Sequence, residues 1–380
     1  MFVIVHYSEI GLKGDNRSFF EKKLVNNIEK VVKGDVRRIS GRLLIEIEEA
    51  EKEQTKEALK NIPGIAYFTF AYKCKQEIDT IKEKAVELLK DKDFESFRVT
   101  TKRSNKDFEL NSQEVSSQVG AAIVNAYNKE VDLEEFDLNL RIEIVEDYTF
   151  LYLKRVEGQR GLPVGVSGKA VSLLSGGIDS PVASYHAIKR GIKVIFIHFS
   201  SYPFTEKESV EKTEKIVERL NSFQYESKLY VIPFSEIQQE ILTKCEAPFR
   251  VLLYRRFMLR IAEKVAKREN AKALVTGESV GQVASQTLEN MGAVEAVAEL
   301  PVLRPLIGMN KEEITKKAKE IGTYEISILP AEDCCQRFIP EHPETKAELK
   351  KLRQEEEKLD VTSLIAEAME GIETKSMNHS

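Results

Sequence analysis

The sequence predicts an α/β fold, with a doubly wound parallel sheet in the C-terminal part and two smaller α+β units before it. Three observations carry this. Beyond about residue 168, short apolar runs alternate with helical stretches, the rhythm of repeated βαβ units. One such run, Ala170-Val171-Ser172-Leu173-Leu174, stops at Ser175-Gly176-Gly177 and is followed at once by helix-start signals, with Ser180 read as N-cap and Pro181 as the first helical residue. Residues 1 to about 70, finally, read β-α-β-β-α-β.

In chain order, strand Phe2–Tyr7 leads to a helix from Phe19 to Val32. Strands Val36–Ile39 and Leu43–Ile47, a helix from Glu51 to Lys60 and strand Ala66–Ala71 follow. That order is a ferredoxin-like split βαβ, assigned to residues 1–72. Its first loop, Ser8 to Arg17, holds two glycines and two cations, so it either faces a phosphate or is a solvated turn. Residues 73–165 form a second unit: helix Ile78–Lys90, strand Phe97–Arg103, helix Asn111–Asn128, and strands Leu138–Val145 and Thr149–Arg155. Lys102, Arg103, Lys154, Arg155 and Arg160 fall at strand ends or in loops, where they meet either a phosphate backbone or plain solvent.

The glycine-dense run Gly158–Gly168 marks a linker. The third unit, 166–380, continues with helix 181–190, strand Lys193–Phe199, helix Glu206–Leu220, strand Lys228–Ile232, a helix around Leu252–Glu269 and strand Ala273–Gly277. Asn310 and Glu313 form a capping box for a helix that stops at Gly322. The charged stretch from Glu344 to about Glu370 reads as a helix that packs on the surface or meets a partner, with no chemistry of its own.

Composition narrows the function classes. At 42% hydrophobic residues each unit has material for a core, and no run of about 18 apolar residues exists to span a bilayer. The start reads as a strand with no basic leader, so a cytoplasmic protein without membrane contact is expected. A net charge of −5 carries no global signature for nucleic acid, so any RNA contact must come from local patches. Cys74, Cys245, Cys334 and Cys335 are too scattered for a disulfide scaffold or a CxxC-type zinc site.

Sheets of this class bind ligands at the carboxyl ends of their strands. Ser175, Gly176, Gly177 and Ser180 make a turn suited to an anion, while His198-Phe199 and Thr276-Gly277-Glu278 end later strands and converge on the same pocket. The loop lacks the Gly-Lys-Ser/Thr ending of a Walker site, which disfavours a kinase or GTPase.

Ser175-Gly176-Gly177-Ile178-Asp179-Ser180 between strand and helix resembles the PP-loop ATP pyrophosphatases, which split ATP between its α and β phosphates to adenylate a carbonyl oxygen. The likeness extends over essentially the whole chain to the tRNA 4-thiouridine synthetases (ThiI, tRNA uracil sulfurtransferase), in a form without a C-terminal rhodanese domain. Glu9-Ile10-Gly11-Leu12-Lys13-Gly14 with Asn16-Arg17 resembles that family's ferredoxin-like signature, and residues 73–165 its THUMP RNA-binding domain. Tyr254–Met258, Thr276–Thr287 and Arg304–Gly308 are similar to its later blocks. The implied architecture is a doubly wound PP-loop ATP pyrophosphatase domain preceded by ferredoxin-like and THUMP α+β domains.

The resemblance implies roles by position. Leu173, Leu174, His198 and Phe199 would frame adenine and ribose, and Arg255, Gly277 and Gln286 would complete the ATP site. Asp179 would hold Mg²⁺ on the pyrophosphate and Lys311 would stabilise developing charge. Left to the residues alone, Asp179 reads first as a helix-start carboxylate favoured by the dipole and Lys311 as a solvated cation. Glu332-Asp333-Cys334-Cys335-Gln336-Arg337-Phe338 resembles the catalytic-cysteine block, with Cys334 as the persulfide carrier. Either Cys335 or Cys245 would resolve the intermediate, and Cys74 is a bystander. The implied reaction adenylates O4 of the uridine at position eight in tRNA and replaces it with sulfur. Because the chain ends at Ser380, a separate persulfide donor, such as a cysteine desulfurase, is expected. A role in thiamine thiazole synthesis also occurs in the family and is weaker here. Oligomeric state stays open, a homodimer included. The rivals are another PP-loop tRNA-modifying enzyme, which the N-terminal blocks oppose, and a non-catalytic THUMP adaptor, which the intact loop opposes.

Overall fold

A computed structural model describes residues 1–203, 208–330 and 342–378. The chain divides into two compact units, Met1–Leu162 and Pro163–Ser380.

The first unit contains β1 (Phe2–His6), α1 (Arg17–Ile28), β2 (Val36–Ile39), β3 (Arg42–Glu46), α2 (Lys52–Lys60) and β4 (Tyr67–Cys74). It continues with α3 (Ile78–Leu89), β5 (Ser96–Arg103), α4 (Ser112–Tyr127), β6 (Glu130–Val131), β7 (Leu138–Val145), β8 (Tyr148–Tyr152) and β9 (Val156–Glu157). All of its strands join one nine-stranded sheet, ordered β2-β3-β1-β4-β8-β7-β5-β6, with β9 beside β4. The expected division after residue 72 falls inside β4, whose last residues Tyr72, Lys73 and Cys74 pair with Leu151, Phe150 and Thr149 of β8. The ferredoxin-like and second halves therefore share a sheet.

That sheet buries a charged cluster. Glu143 is 1% exposed; His6 Nε2 lies 3.3 Å and Arg42 Nε 3.1 Å from its oxygens, and Tyr152 OH donates to Oε1 at 2.6 Å. Burial alone would raise the Glu143 pKa, but the His6 and Arg42 contacts and the Tyr152 bond outweigh it and hold the group at about 2.

The second unit contains β10 (Lys169–Leu173), α5 (Asp179–Lys189), β11 (Lys193–Ser200), α6 (Glu208–Gln224), β12 (Glu226–Pro233), α7 (Ser235–Lys244), α8 (Arg250–Arg268) and β13 (Ala273–Val275). Then come α9 (Leu288–Glu295), β14 (Val302–Leu303), α10 (Lys311–Glu320), α11 (Tyr324–Ser327), α12 (Leu349–Glu356), α13 (Val361–Glu370) and β15 (Glu373–Asn378). The sheet runs β14-β13-β10-β11-β12-β15, parallel except for the antiparallel edge β15. Both faces are covered, so the alternate residues of each strand enter two different cores. Val171, Ile195, Ile197 and Tyr230 pack toward α8, while Ala170, Val194, Phe196 and Leu229 pack toward α5 and α6. Each such side chain fully withdrawn from water contributes about 1.5–3 kcal/mol.

Two expectations are corrected. The helix after the glycine loop starts at Asp179, with Ile178 as N-cap, two residues before the expected start at Pro181. Ser180 does not cap it: its hydroxyl accepts from Ser175 N at 2.9 Å and so folds the loop back on itself. Pro181 is tolerated there because the first-turn N–H groups have no intrahelical acceptor. The C-terminal stretch is likewise more than a surface helix. Leu352, Leu364, Ile365 and Ala368 join the core, and Glu356 accepts from Arg256 Nε and Nη2 at 3.0 and 2.7 Å and from Arg260. The capping box of Asn310 and Glu313 forms as expected.

Glu356 also answers to pH. Burial raises its pKa, but Arg260 and Arg256 override this and hold it at about 2. Both Glu143 and Glu356 thus titrate lower folded than unfolded. The stability they contribute is complete above the ordinary glutamate value of about 4.3 and is lost as pH falls toward 2. Glu356→Ala leaves two arginines facing a low-dielectric site and is expected to cost about 3–5 kcal/mol, read by denaturant unfolding at pH 7. An unchanged midpoint there would mean the pair is solvent-screened.

Candidate functional site

The loop between β10 and α5 is built from its own hydroxyls. Ser175 and Ser180 lie Oγ to Oγ at 3.1 Å, and Gly177 N donates to Ser175 Oγ at 3.3 Å. Below it, Ser184 Oγ lies 2.8 Å from Ser172 Oγ and donates to Ser180 O at 2.8 Å, which ties the first turn of α5 to β10. The helix N-terminus therefore faces the carboxyl end of the sheet with its partial positive charge.

A cavity of about 270 Å³ opens there, and Leu173, Ser175, Asp179, Ser180, Arg255, Gly277 and Gln286 all line it. Gly277 follows β13 and passes so close to α5 that a Cβ would lie 2.7 Å from Ser180 N, so only glycine fits. Arg255 comes from α8, donates Nη1 to Ser285 O at 3.0 Å and pairs through Nη2 with Glu278. Glu278 is buried and also accepts from Thr276 Oγ1 at 2.8 Å and Arg304 Nε at 2.7 Å. Gln286 closes its loop, Gly281 N donating to its carbonyl at 2.9 Å.

Asp179 carries two further contacts. Lys311 Nζ, at the start of α10, donates to Oδ1 at 2.6 Å, and Gln282 Nε2 donates to Oδ2 at 2.8 Å. Among the described residues no group of three or more His, Cys, Asp or Glu side chains could hold a metal ion. Asp179 is a single carboxylate at the cavity, with both oxygens already accepting hydrogen bonds.

The other expected framing residues sit deeper. Leu174, His198 and Phe199 are buried outside the cavity lining. His198 Nδ1–H donates to Leu174 O at 3.0 Å, and Ser209 Oγ lies 3.2 Å from Nε2, so the ring braces the loop from behind. Phe199 packs edge-on against Phe234, 5.2 Å between centroids. Cys334 and Cys335 lie outside the described residues. Cys74 and Cys245 have thiols pushed up to about 11, in each case chiefly by burial. Cys245 also donates to Glu355 O at 3.5 Å. Glu278 was expected at the pocket as a strand-end residue, but without a role, and Gln282 and Arg304 were not singled out from the sequence. All three stand within the family-like blocks, and only their contacts reveal what they do.

A second candidate site lies in the first unit. A groove of about 620 Å³ is lined by Lys52, Lys56, Lys92 and Lys154, by Phe70 and Tyr72, and by Glu53, Asp93 and Asp137, with Lys56 Nζ 2.8 Å from Glu53. Lys52 Nζ sits 5.6 Å from the Phe70 ring. Of the five cations singled out by sequence, Lys154 lies here and Lys102 is exposed elsewhere. Arg103 instead donates to Phe108 O and Leu110 O at 2.5 and 2.8 Å, Arg155 stacks 4.4 Å from the Tyr67 ring, and Arg160 pairs with Glu157 at 2.9 Å. Lys52 and Lys56 were hidden in lysine-rich helical sequence and Lys92 in the turn after α3. Among the described residues no helix is long and apolar enough to cross a membrane.

Known proteins resemble this chain over nearly its whole length. Family models match as follows: the ThiI ferredoxin-like domain at residues 2–69, the THUMP domain at 75–154, and the thiamine biosynthesis protein (ThiI) at 165–361. The chain is 44% identical over 368 residues to a probable tRNA sulfurtransferase of Caldanaerobacter subterraneus subsp. tengcongensis, covering 96% of each. A probable tRNA sulfurtransferase of Bacillus licheniformis is 42% identical over 381 residues, covering 98% of this chain and 95% of that one. Among solved structures, a 4-thiouridine synthetase in complex with RNA and bound ATP superposes with a TM-score of 0.91 at 39% identity, covering 99% of both chains. The Pyrococcus horikoshii protein PH1313 gives a TM-score of 0.66 at 26% identity, covering 84% of this chain and 99% of that one.

Proposed function

The chain belongs to the ThiI family of tRNA sulfurtransferases, and from that premise we propose how its own residues divide the work. ATP binds in the cavity at the end of β10, its phosphates over Ser175–Ser180 and the start of α5. The uridine at position eight of tRNA attacks the α-phosphorus through O4, and pyrophosphate leaves. A persulfide on Cys334 then attacks C4 through its outer sulfur, and AMP departs with O4. Attack of a second thiol on the resulting disulfide releases 4-thiouridine. The donor that loads Cys334 is a cysteine desulfurase or another persulfide carrier, and the setting is the cytoplasm.

The observation that supports the reading is that the loop, Asp179, Gly277 and Arg255 line one cavity at the strand ends, with Lys311 bonded to Asp179. Arg255, fixed by Glu278, supplies positive charge to the nucleotide, and Lys311 supplies it beside the loop. Mg²⁺, held by Asp179 and the phosphates, would neutralise charge on the leaving pyrophosphate. The deciding experiment is incubation of tRNA with ATP and a persulfide donor, following pyrophosphate release and 4-thiouridine absorbance. Release of pyrophosphate that does not depend on tRNA, or none at all, overturns the reading.

The groove of the first unit would take the RNA backbone, with lysines on phosphates and Phe70 and Tyr72 offering ring faces. Lys56→Glu combined with Lys154→Glu is expected to weaken tRNA binding about tenfold or more and to flatten its salt dependence, leaving ATP affinity unchanged. Filter binding over a salt series checks both, and an unaltered salt slope would remove the groove from the RNA path.

A further inference from the structure

Helix α6 is lined with charge, and most of it faces solvent. Lys212 is the exception, only 8% exposed. A Cβ built on Gly176 would stand 3.3 Å from Lys212 Cδ, 3.4 Å from Cε and 3.6 Å from Nζ, so the lysine lies flush against the first glycine of the phosphate loop. Its Nζ donates to Leu329 O at 2.7 Å. Nearby, Ser327 Oγ, at the end of α11, donates to Gly177 O at 3.3 Å, so α11 is tied to the loop beside the residue that Lys212 reaches.

Withdrawing an ammonium from water is costly unless acceptors compensate it. Here the ammonium sits where a loop of backbone N–H groups and a helix N-terminus already favour negative charge. Building on the adenylation reading above, we propose that Lys212 is a second cation of the pyrophosphate cradle, contacting the β- and γ-phosphates of ATP. The turn is then bracketed by charge, with Lys212 at its Gly176 end and Lys311 at its Asp179 end. When the bond between the α- and β-phosphates breaks, negative charge grows on the departing pyrophosphate. A cation already fixed beside the loop stabilises that state with little reorganisation.

The test compares ATP, AMP and inorganic pyrophosphate by calorimetry on the full chain, together with tRNA-dependent pyrophosphate release. Lys212→Met keeps the stem packed on Gly176 and removes the charge. It is expected to lose about 10- to 100-fold in affinity for ATP and pyrophosphate, the scale of one charged hydrogen bond, and less than about threefold for AMP. Lys212→Gln keeps a donor for Leu329 O without the charge and must show the same pattern, which carries the test if the methionine variant does not fold. Equal losses for ATP and AMP, or no loss, would overturn the proposal and leave Lys212 a packing residue. Wild type lacking tRNA-dependent pyrophosphate release would instead sink the adenylation reading, so the two failures are distinct.

Discussion

Cys334→Ala is expected to abolish thiolation, by roughly 1,000-fold or more, the scale seen when a covalent nucleophile is removed, while tRNA-dependent pyrophosphate release continues. The separation follows from where the chemistry resides. In the proposed reaction adenylation is assigned to the loop, Arg255 and the Lys311–Asp179 pair, whose contacts involve no thiol. Sulfur transfer needs a thiolate or persulfide, and the described cysteines are poor substitutes. Burial pushes the Cys74 and Cys245 thiols up to about 11, which disfavours the thiolate near neutral pH. Cys245→Ala is expected to keep thiolation near the wild-type rate; a loss there, with Cys335→Ala unaffected, would make Cys245 the resolving thiol instead of Cys335. Persulfide-dependent activity at full rate in Cys334→Ala would end the assignment.

What the sequence disclosed, and what it hid, follow from the range of the interactions. The strand-to-loop transition at Leu174 to Gly177 was legible because periodicity and glycine are local signals, and the strand ends at Thr276-Gly277 were legible because a parallel sheet lines up its carboxyl ends. The helix start was misplaced by two residues because Ser-Pro is a common cap signature, yet the Ser180 hydroxyl is claimed by Ser175. Contacts between distant segments left no trace at all. Gln282 reaching Asp179, Glu356 between Arg256 and Arg260, and Lys212 under Gly176 join residues 36 to more than 100 positions apart, each unremarkable in its own segment. Strand β15, Glu373-Thr374-Lys375-Ser376-Met377-Asn378, escaped notice because an edge strand with polar residues on both faces lacks alternation. The lysines lining the groove of the first unit escaped for a related reason, since only the fold brings α2, the residues after α3 and Lys154 together.

Asp179→Asn and Lys311→Met are both expected to lower tRNA-dependent pyrophosphate release by about 100- to 1,000-fold, the range for losing one preorganised charge at a reacting phosphate. They should differ in what restores them. In the folded protein Asp179 gives one oxygen to Lys311 and the other to Gln282, so a Mg²⁺ on the pyrophosphate must share or displace those donors. If Asp179 is the metal's carboxylate, its asparagine variant needs at least about tenfold more Mg²⁺ for half-maximal rate, because a neutral amide is a weaker ligand for a hard cation. Lys311→Met then keeps the wild-type Mg²⁺ requirement or lowers it, since the competing ammonium is gone, and loses rate alone. The alternative is that Asp179 serves only to aim Lys311. In that case the two single variants and the double variant share one rate, and the Mg²⁺ requirement stays fixed throughout. A Mg²⁺ titration of pyrophosphate release across these variants separates the cases, and an unchanged requirement in Asp179→Asn removes the metal role while leaving the Lys311 role standing.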